Sequence, residues 1–245
     1  METTFITFCV VLLSSILSGM SGGGGGFIMT PYFLLVGLTP QQNIAVGSVI
    51  GLGLSGGSLV AARRTSLLNR RIVYPLTLVT VAATIIATFV LPNVHAGAYE
   101  KFIGVFLLVM IPTLFIKKGL FLPGARSKHM MIIGYGLFTL LWFANAIFSA
   151  GFAALLFVPM LFCMGMTALE ANVTKRIAAL VQAVVLFAVL APQGLIVWSF
   201  AAAGLVGAWI GGHIGTHIAI KNGEQFARYA LAGLMVVSSI LLLCK

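Results

Sequence analysis

Four neutral side chains and one cation stand in a pattern that suits an anion. Asn43 and Ser48 lie in NIAVGSVI, and Asn172, Thr174 and Lys175 lie in ANVTKRIA. Amides and hydroxyls donate hydrogen bonds to an oxyanion, and an ammonium group supplies the counter-charge. The glycines offer a further kind of donor. The stretch SGMSGGGGGFIMTP carries five in a row, Gly22, Gly23, Gly24, Gly25 and Gly26, inside an apolar segment that begins at Phe5. Each costs a helix interior about 1 kcal/mol relative to alanine, so the run predicts a break. A segment that restarts after a break presents free N–H groups and a positive dipole end, a natural seat for an anion.

Other chemistry finds less support. His213 and His217 share a helix face, a spacing that can bind metal or relay protons. No Cys or carboxylate with ligand spacing accompanies them, so they read as helix-end residues. Cys9, Cys163 and Cys244 lie in apolar segments without a CxxC pair and read as packing. No Gly-Lys-Ser/Thr follows the glycine run, which excludes a nucleotide phosphate loop. The sequence predicts no metal, no cofactor and no enzymatic activity. It has no Asp, and Glu2, Glu100, Glu170 and Glu224 lie near segment ends. Proton- and sodium-coupled carriers often hold a carboxylate at mid-membrane. An anion leaving the cell needs none, since an inside-negative potential favours its exit by about 2.3 kcal/mol per charge per 100 mV.

The elements that must position these residues are membrane helices. The chain has 245 residues, 60% of them hydrophobic and 7% charged, against about 25% charged in a soluble domain. Mean hydropathy is +1.14. The net charge is +10, but the bases sit in short loops between apolar segments, a matter of topology rather than of nucleic-acid binding. METTFITF has no basic residue before its apolar run and reads as an uncleaved first membrane helix. Apolar segments fall at 3–20, 26–38, 42–62, 72–92, 99–116, 129–148, 152–167, 171–191, 194–219 and 226–244. The second and seventh are short and carry Pro31 and Pro159.

Basic junctions alternate along the chain: Arg63, Arg64, Arg70 and Arg71; Lys117, Lys118, Arg126 and Lys128; Lys175 and Arg176; Lys221 and Arg228. Basic loops face the cytoplasm, which puts both termini outside a cell (inner) membrane. Shifting the second half back by 128 residues lays Pro159 on Pro31, Gly165 on Gly37 and Thr167 on Thr39, with Ser149-Ala150-Gly151 near the glycine run. The predicted fold is an all-α polytopic membrane protein of two inverted repeats, 1–116 and 129–245, joined by a basic cytoplasmic linker at 117–128. It has eight long transmembrane helices, two short half-helices, and breaks at 20–26 and 149–151. Odd-numbered halves insert in opposite senses, an architecture common among secondary transporters. Gly47/Gly51, Gly53/Gly57 and Gly207/Gly211/Gly215 have the small-xxx-small spacing of close helix packing.

The combination GGGGGFIMTPYFLLVGLTPQQNIAVGSVI, followed by an RR…NRR loop, resembles the sulfite exporter TauE/SafE family, also called the TSUP permeases. The matching residues are Gly22–Gly26, Pro31, Gly37-Leu38-Thr39-Pro40 and Ala45-Val46-Gly47-Ser48, and in the second half Gly151, Pro159 and ANVTKRIAALVQ. The departures are AVGS for AVGT and Thr167-Ala168 for a proline turn. The resemblance implies movement of sulfite, sulfoacetate or another organosulfonate across the membrane.

The expected activity is therefore export of a small sulfur-containing anion by alternating access, with an anion channel or a membrane assembly factor as alternatives. The expected substrate-binding residues are Gly22–Gly26, Pro31, Asn43, Gly47, Ser48, Ser149, Gly151, Pro159, Asn172, Thr174 and Lys175. Lys175 and Arg176 have a second reading as inward-facing anchors whose charges snorkel to the interface.

Overall fold

Helices account for the elements of the computed structural model, which describes residues 2–23, 25–68, 70–95, 97, 99, 101–103, 105–106, 127–149 and 152–222. Gly24, Ala150, Gly151, residues 117–126 of the linker, most of the fifth apolar segment and all of the tenth lie outside the described residues. The helices are α1 (Glu2–Ser21), α2 (Gly26–Leu35), α3 (Pro40–Ala62), α4 (Arg70–Val90), α5 (Lys128–Phe148), α6 (Phe152–Leu155), α7 (Phe157–Phe162), α8 (Ala168–Leu190) and α9 (Trp198–Asn222), with a 3₁₀ turn at Leu91–Asn93. No strand occurs among the described residues. Among the described residues five spans are long and apolar enough to cross a membrane: α1, α3, Arg71–Asn93, α5 and α8. The 25-residue α9 is long but rich in glycine, with histidines and a terminal lysine. The seventh segment, expected as one piece, divides into α6 and α7 around Leu156.

Local signals explain the two 23-residue helices. Thr39 caps α3: its Oγ1 accepts from Gln42 N at 3.2 Å, and Gln42 Oε1 accepts from Thr39 N at 3.0 Å. Thr167 caps α8 in the same way, with Glu170 N at 3.2 Å on its Oγ1 and its own N–H donating to Glu170 Oε2 at 2.8 Å. These reciprocal boxes satisfy orphan donors at each helix start. In α3 Pro40 occupies the first helical position, where its missing N–H costs nothing. In α8 Ala168 stands there, and the Glu170 carboxylate adds a favourable charge at the dipole's positive end. Gly37 and Gly165, which precede the caps, both have positive φ, at 95° and 68°. Gly37 ends α2 with its N–H on Leu34 O and that of Leu38 on Phe33 O, the paired bonds of a Schellman turn.

The helices pack in the order α1, α9, α3, α8, α4, α5. A 128-residue offset relates α1 to α5, α3 to α8 and α4 to α9, so this order reads alike from either end. Glycines let α9 lie backbone to backbone against its neighbours. A Cβ at Gly211 or Gly215 would meet the carbonyls of Leu12 or Ile16 in α1, and one at Gly57 would meet the carbonyl of Trp209. Gly47 departs from its packing expectation: a Cβ there meets nothing within 4 Å, because that face of α3 borders a cavity.

A paired substitution checks this division. Gly57→Ala should lower stability by about 1–3 kcal/mol through overpacking. Gly47→Ala should fold at least as well as the parent, since alanine favours helix by about 1 kcal/mol. Thermal melting of the detergent-solubilised variants reads both.

Candidate functional site

The site begins with the end of α1. A helix terminus leaves its last carbonyls without intrahelical donors, and in hydrocarbon no water replaces them. Ser18 O accepts from Gly22 N at 2.8 Å as the chain turns through Gly22, whose φ is 80°. The remaining demand is met from α8. Arg176 Nη2 donates to Ser18 O at 2.6 Å and lies 3.4 Å from Ser18 Oγ. One turn earlier on α8, Asn172 Nδ2 donates to Gly19 O at 3.0 Å.

The second break is served from the first half. Helix α5 ends at Phe148, with Ser149 in the left-handed conformation (φ 56°) and its N–H on Asn145 O at 2.9 Å. Tyr99 Oη donates to Phe148 O at 2.8 Å, and Asn43 Nδ2 from α3 stands 3.5 Å behind the phenol. Beyond the break, Lys175 Nζ donates to Ala153 O at 2.6 Å and sits 4.2 Å from the centre of the Phe157 ring, within cation–π range.

Between the breaks lies a cavity of about 150 Å³. Gly22, Gly23, Gly26, Asn43, Gly47, Ser48, Ser149 and Lys175 all border it. Arg176 borders it too. Both cations are buried, Lys175 at 2% exposure and Arg176 at 5%, so neither snorkels to the interface. No carboxylate is among the described lining residues. On α3 the wall includes positions 47, 48, 51, 54 and 55, and on α8 it includes 175, 176, 179, 182 and 183, each 128 residues further on.

Five expected residues do not line the cavity. Gly25 caps α2 and packs on α1, where a Cβ would come 2.9 Å from Ser18 Cβ. Pro31 and Pro159 are buried inside α2 and α7. Asn172, whose Nδ2 donates to Gly19 O, and Thr174 are buried on α8 but are not among the residues lining the cavity. Gly24 and Gly151 lie outside the described residues. Ser48 lines the cavity, but its hydroxyl donates to Ala45 O at 2.7 Å within α3.

The wall adds polar residues that residue-type reasoning missed: Ser18, Thr30, Ser55, Asn145 and Gln182. A helical projection through Lys175 reaches Gln182 seven residues on, the same face two turns along. His213 and His217 are exposed on α9, and among the described residues no three of His, Cys, Asp and Glu gather as metal ligands.

The family model for sulfite exporter TauE/SafE matches residues 7–242. The chain belongs to the TauE/SafE family. It is a multi-pass membrane transporter, in a family of permeases rather than of enzymes. A probable membrane transporter protein of Sinorhizobium sp. is 24% identical over 226 residues, covering 90% of this chain and 85% of the relative. A probable membrane transporter protein of Haemophilus influenzae is 19% identical over 242 residues, covering 98% and 92%. No solved structure matches significantly. Within this TauE/SafE chain, Gly22, Gly23 and Gly26 of the glycine run border the same cavity as Gly47 and Ser48.

Removing a donor from a break should destabilise the fold. Asn172→Leu leaves Gly19 O buried and unbonded, at an expected cost of about 1–3 kcal/mol. The melting temperature should drop accordingly, with Asn172→Gln recovering part of the loss. A variant as stable as the parent would contradict the bond's role.

Proposed function

We propose that this transporter exports a small sulfur-containing anion, such as sulfite, sulfoacetate or another organosulfonate, by alternating access around the cavity between the two breaks. The supporting observation is the pair of buried cations. Lys175 and Arg176 border a cavity whose described wall offers them no carboxylate. A buried charge costs several kcal/mol unless it is compensated. Backbone carbonyls supply part of the compensation, and an entering oxyanion supplies the rest.

The glycines have a matching role. Gly22, Gly23 and Gly26 bring bare backbone to the wall, and the first turn of α2 leaves N–H groups outside its own ladder. Such groups at a helix start favour an anion. Asn43 and Ser149 add polar wall from the opposite half.

The 128-residue correspondence of caps, glycines and wall positions supports two repeats. Their inverted insertion is part of the same proposal, with 117–128 as the cytoplasmic linker and both termini outside the inner membrane. In that arrangement the cavity opens alternately as one repeat rocks against the other.

Efflux from proteoliposomes loaded with sulfite, thiosulfate, sulfoacetate or taurine tests the reading. Saturable efflux of at least one sulfur anion is expected, driven by an inside-negative potential. Lys175→Met should weaken binding about 10–100-fold, the worth of one charge-assisted hydrogen bond. It should also abolish the rise in melting temperature that the ligand produces. Unaltered efflux in Lys175→Met would overturn the assignment, and unsaturated flux with single-channel steps would favour a pore.

A further inference from the structure

The cations occupy one stretch of the cavity wall, and a neutral pair occupies another. Gln182 on α8 lies seven residues beyond Lys175, about 10 Å along the helix axis. Its Oε1 accepts from Asn145 Nδ2 on α5 at 3.2 Å, and both residues border the cavity. Gln182 is 7% exposed. Each amide carries one acceptor oxygen and an NH2 donor. The bond between them uses one oxygen and one N–H. Besides the second N–H of Asn145 and the second lone pair of Gln182 Oε1, two atoms stay wholly unused, Gln182 Nε2 and Asn145 Oδ1, which have no other partner among the described residues. Exchanging oxygen and nitrogen in both amides still leaves one donor and one acceptor.

The cavity has room for more than an oxyanion. A single water needs about 10–15 Å³ of such space, against about 150 Å³ here. A ligand seated at Lys175 and Arg176 therefore has space for a second group directed at the amide pair, which borders the same cavity. A donor beside an acceptor is the complement of a hydroxyl, which both accepts and donates. A carboxylate only accepts and would face the Asn145 oxygen unfavourably. An ammonium only donates and would sit in a cavity that already holds two cations.

We propose that Asn145 and Gln182 form a specificity-determining pair that reads a hydroxyl on the substrate, so that the preferred cargo is a hydroxyalkyl sulfonate. This rests on the sulfur-anion reading above.

Calorimetric titration of the purified full-length protein in nanodiscs tests it, with 2-hydroxyethanesulfonate and ethanesulfonate as probes. The parent protein should bind the hydroxylated probe about tenfold more tightly, a sum of one or two neutral hydrogen bonds. Gln182→Met should bring the two affinities within about twofold while leaving that for ethanesulfonate unchanged. Asn145→Leu should give the same pattern, and it serves if Gln182→Met fails to fold. Equal affinities in the parent, or a variant that weakens both probes alike, would overturn the pair's role. Binding of sulfite with neither sulfonate would overturn this inference alone. No binding of any sulfur anion would overturn the sulfur-anion reading as well.

Discussion

A broken helix in hydrocarbon must find donors for its last carbonyls, and most of this architecture answers that demand. Ser18 O and Gly19 O are met by Arg176 and Asn172, and Phe148 O is met by Tyr99 with Asn43 behind it. The donors named here are side chains, which serve where hydrocarbon offers no water. They come from the opposite half of the chain, because a break exposes its groups away from its own helix. The interleaved packing order follows, with α3 and α8 side by side at the centre and each flanked by a helix of the other half.

On the proposed reading the buried cations have two tasks at once. Arg176 and Lys175 each hold a backbone carbonyl, so their positions are fixed before any ligand arrives. Among the described residues backbone carbonyls and the Phe157 ring compensate their charge, and on the proposed reading an anion adds the rest. Fixed donors bind without reorganising, a general route to affinity. Glycine likewise has two uses. In α9 it removes side chains so that backbones touch, whereas Gly47 removes one so that space remains.

Much of this was legible in the chain. The two long central helices announce themselves, though they start two or three residues before the apolar runs. Their first turns, Pro40-Gln41-Gln42 and Ala168-Leu169-Glu170, are capped and helical while partly polar. The first break follows from glycine content, and the second from the 128-residue correspondence that lays Ser149 to Gly151 near the glycine run. The division of the seventh segment into α6 and α7 was not legible, because hydropathy is blind to a local turn within an apolar stretch. Nor was the role of Arg176, whose contact with Ser18 spans 158 residues of sequence. Gln182 and Asn145 were hidden differently. Each is an isolated amide in an apolar helix, and only the shared cavity gives them meaning.

The distance between a break and its donors bears on biosynthesis. Ser18 and Gly19 leave the ribosome 158 and 153 residues ahead of Arg176 and Asn172. At ~5–20 residues per second that interval is about 10–30 s. During it the end of α1 has no donor from α8 and must be kept wet or sheltered by the insertion machinery. The first break therefore matures late, after most of the chain has been made. An early half cannot present a finished site, and quality control at the membrane has a long window in which to reject a chain whose second half fails to arrive.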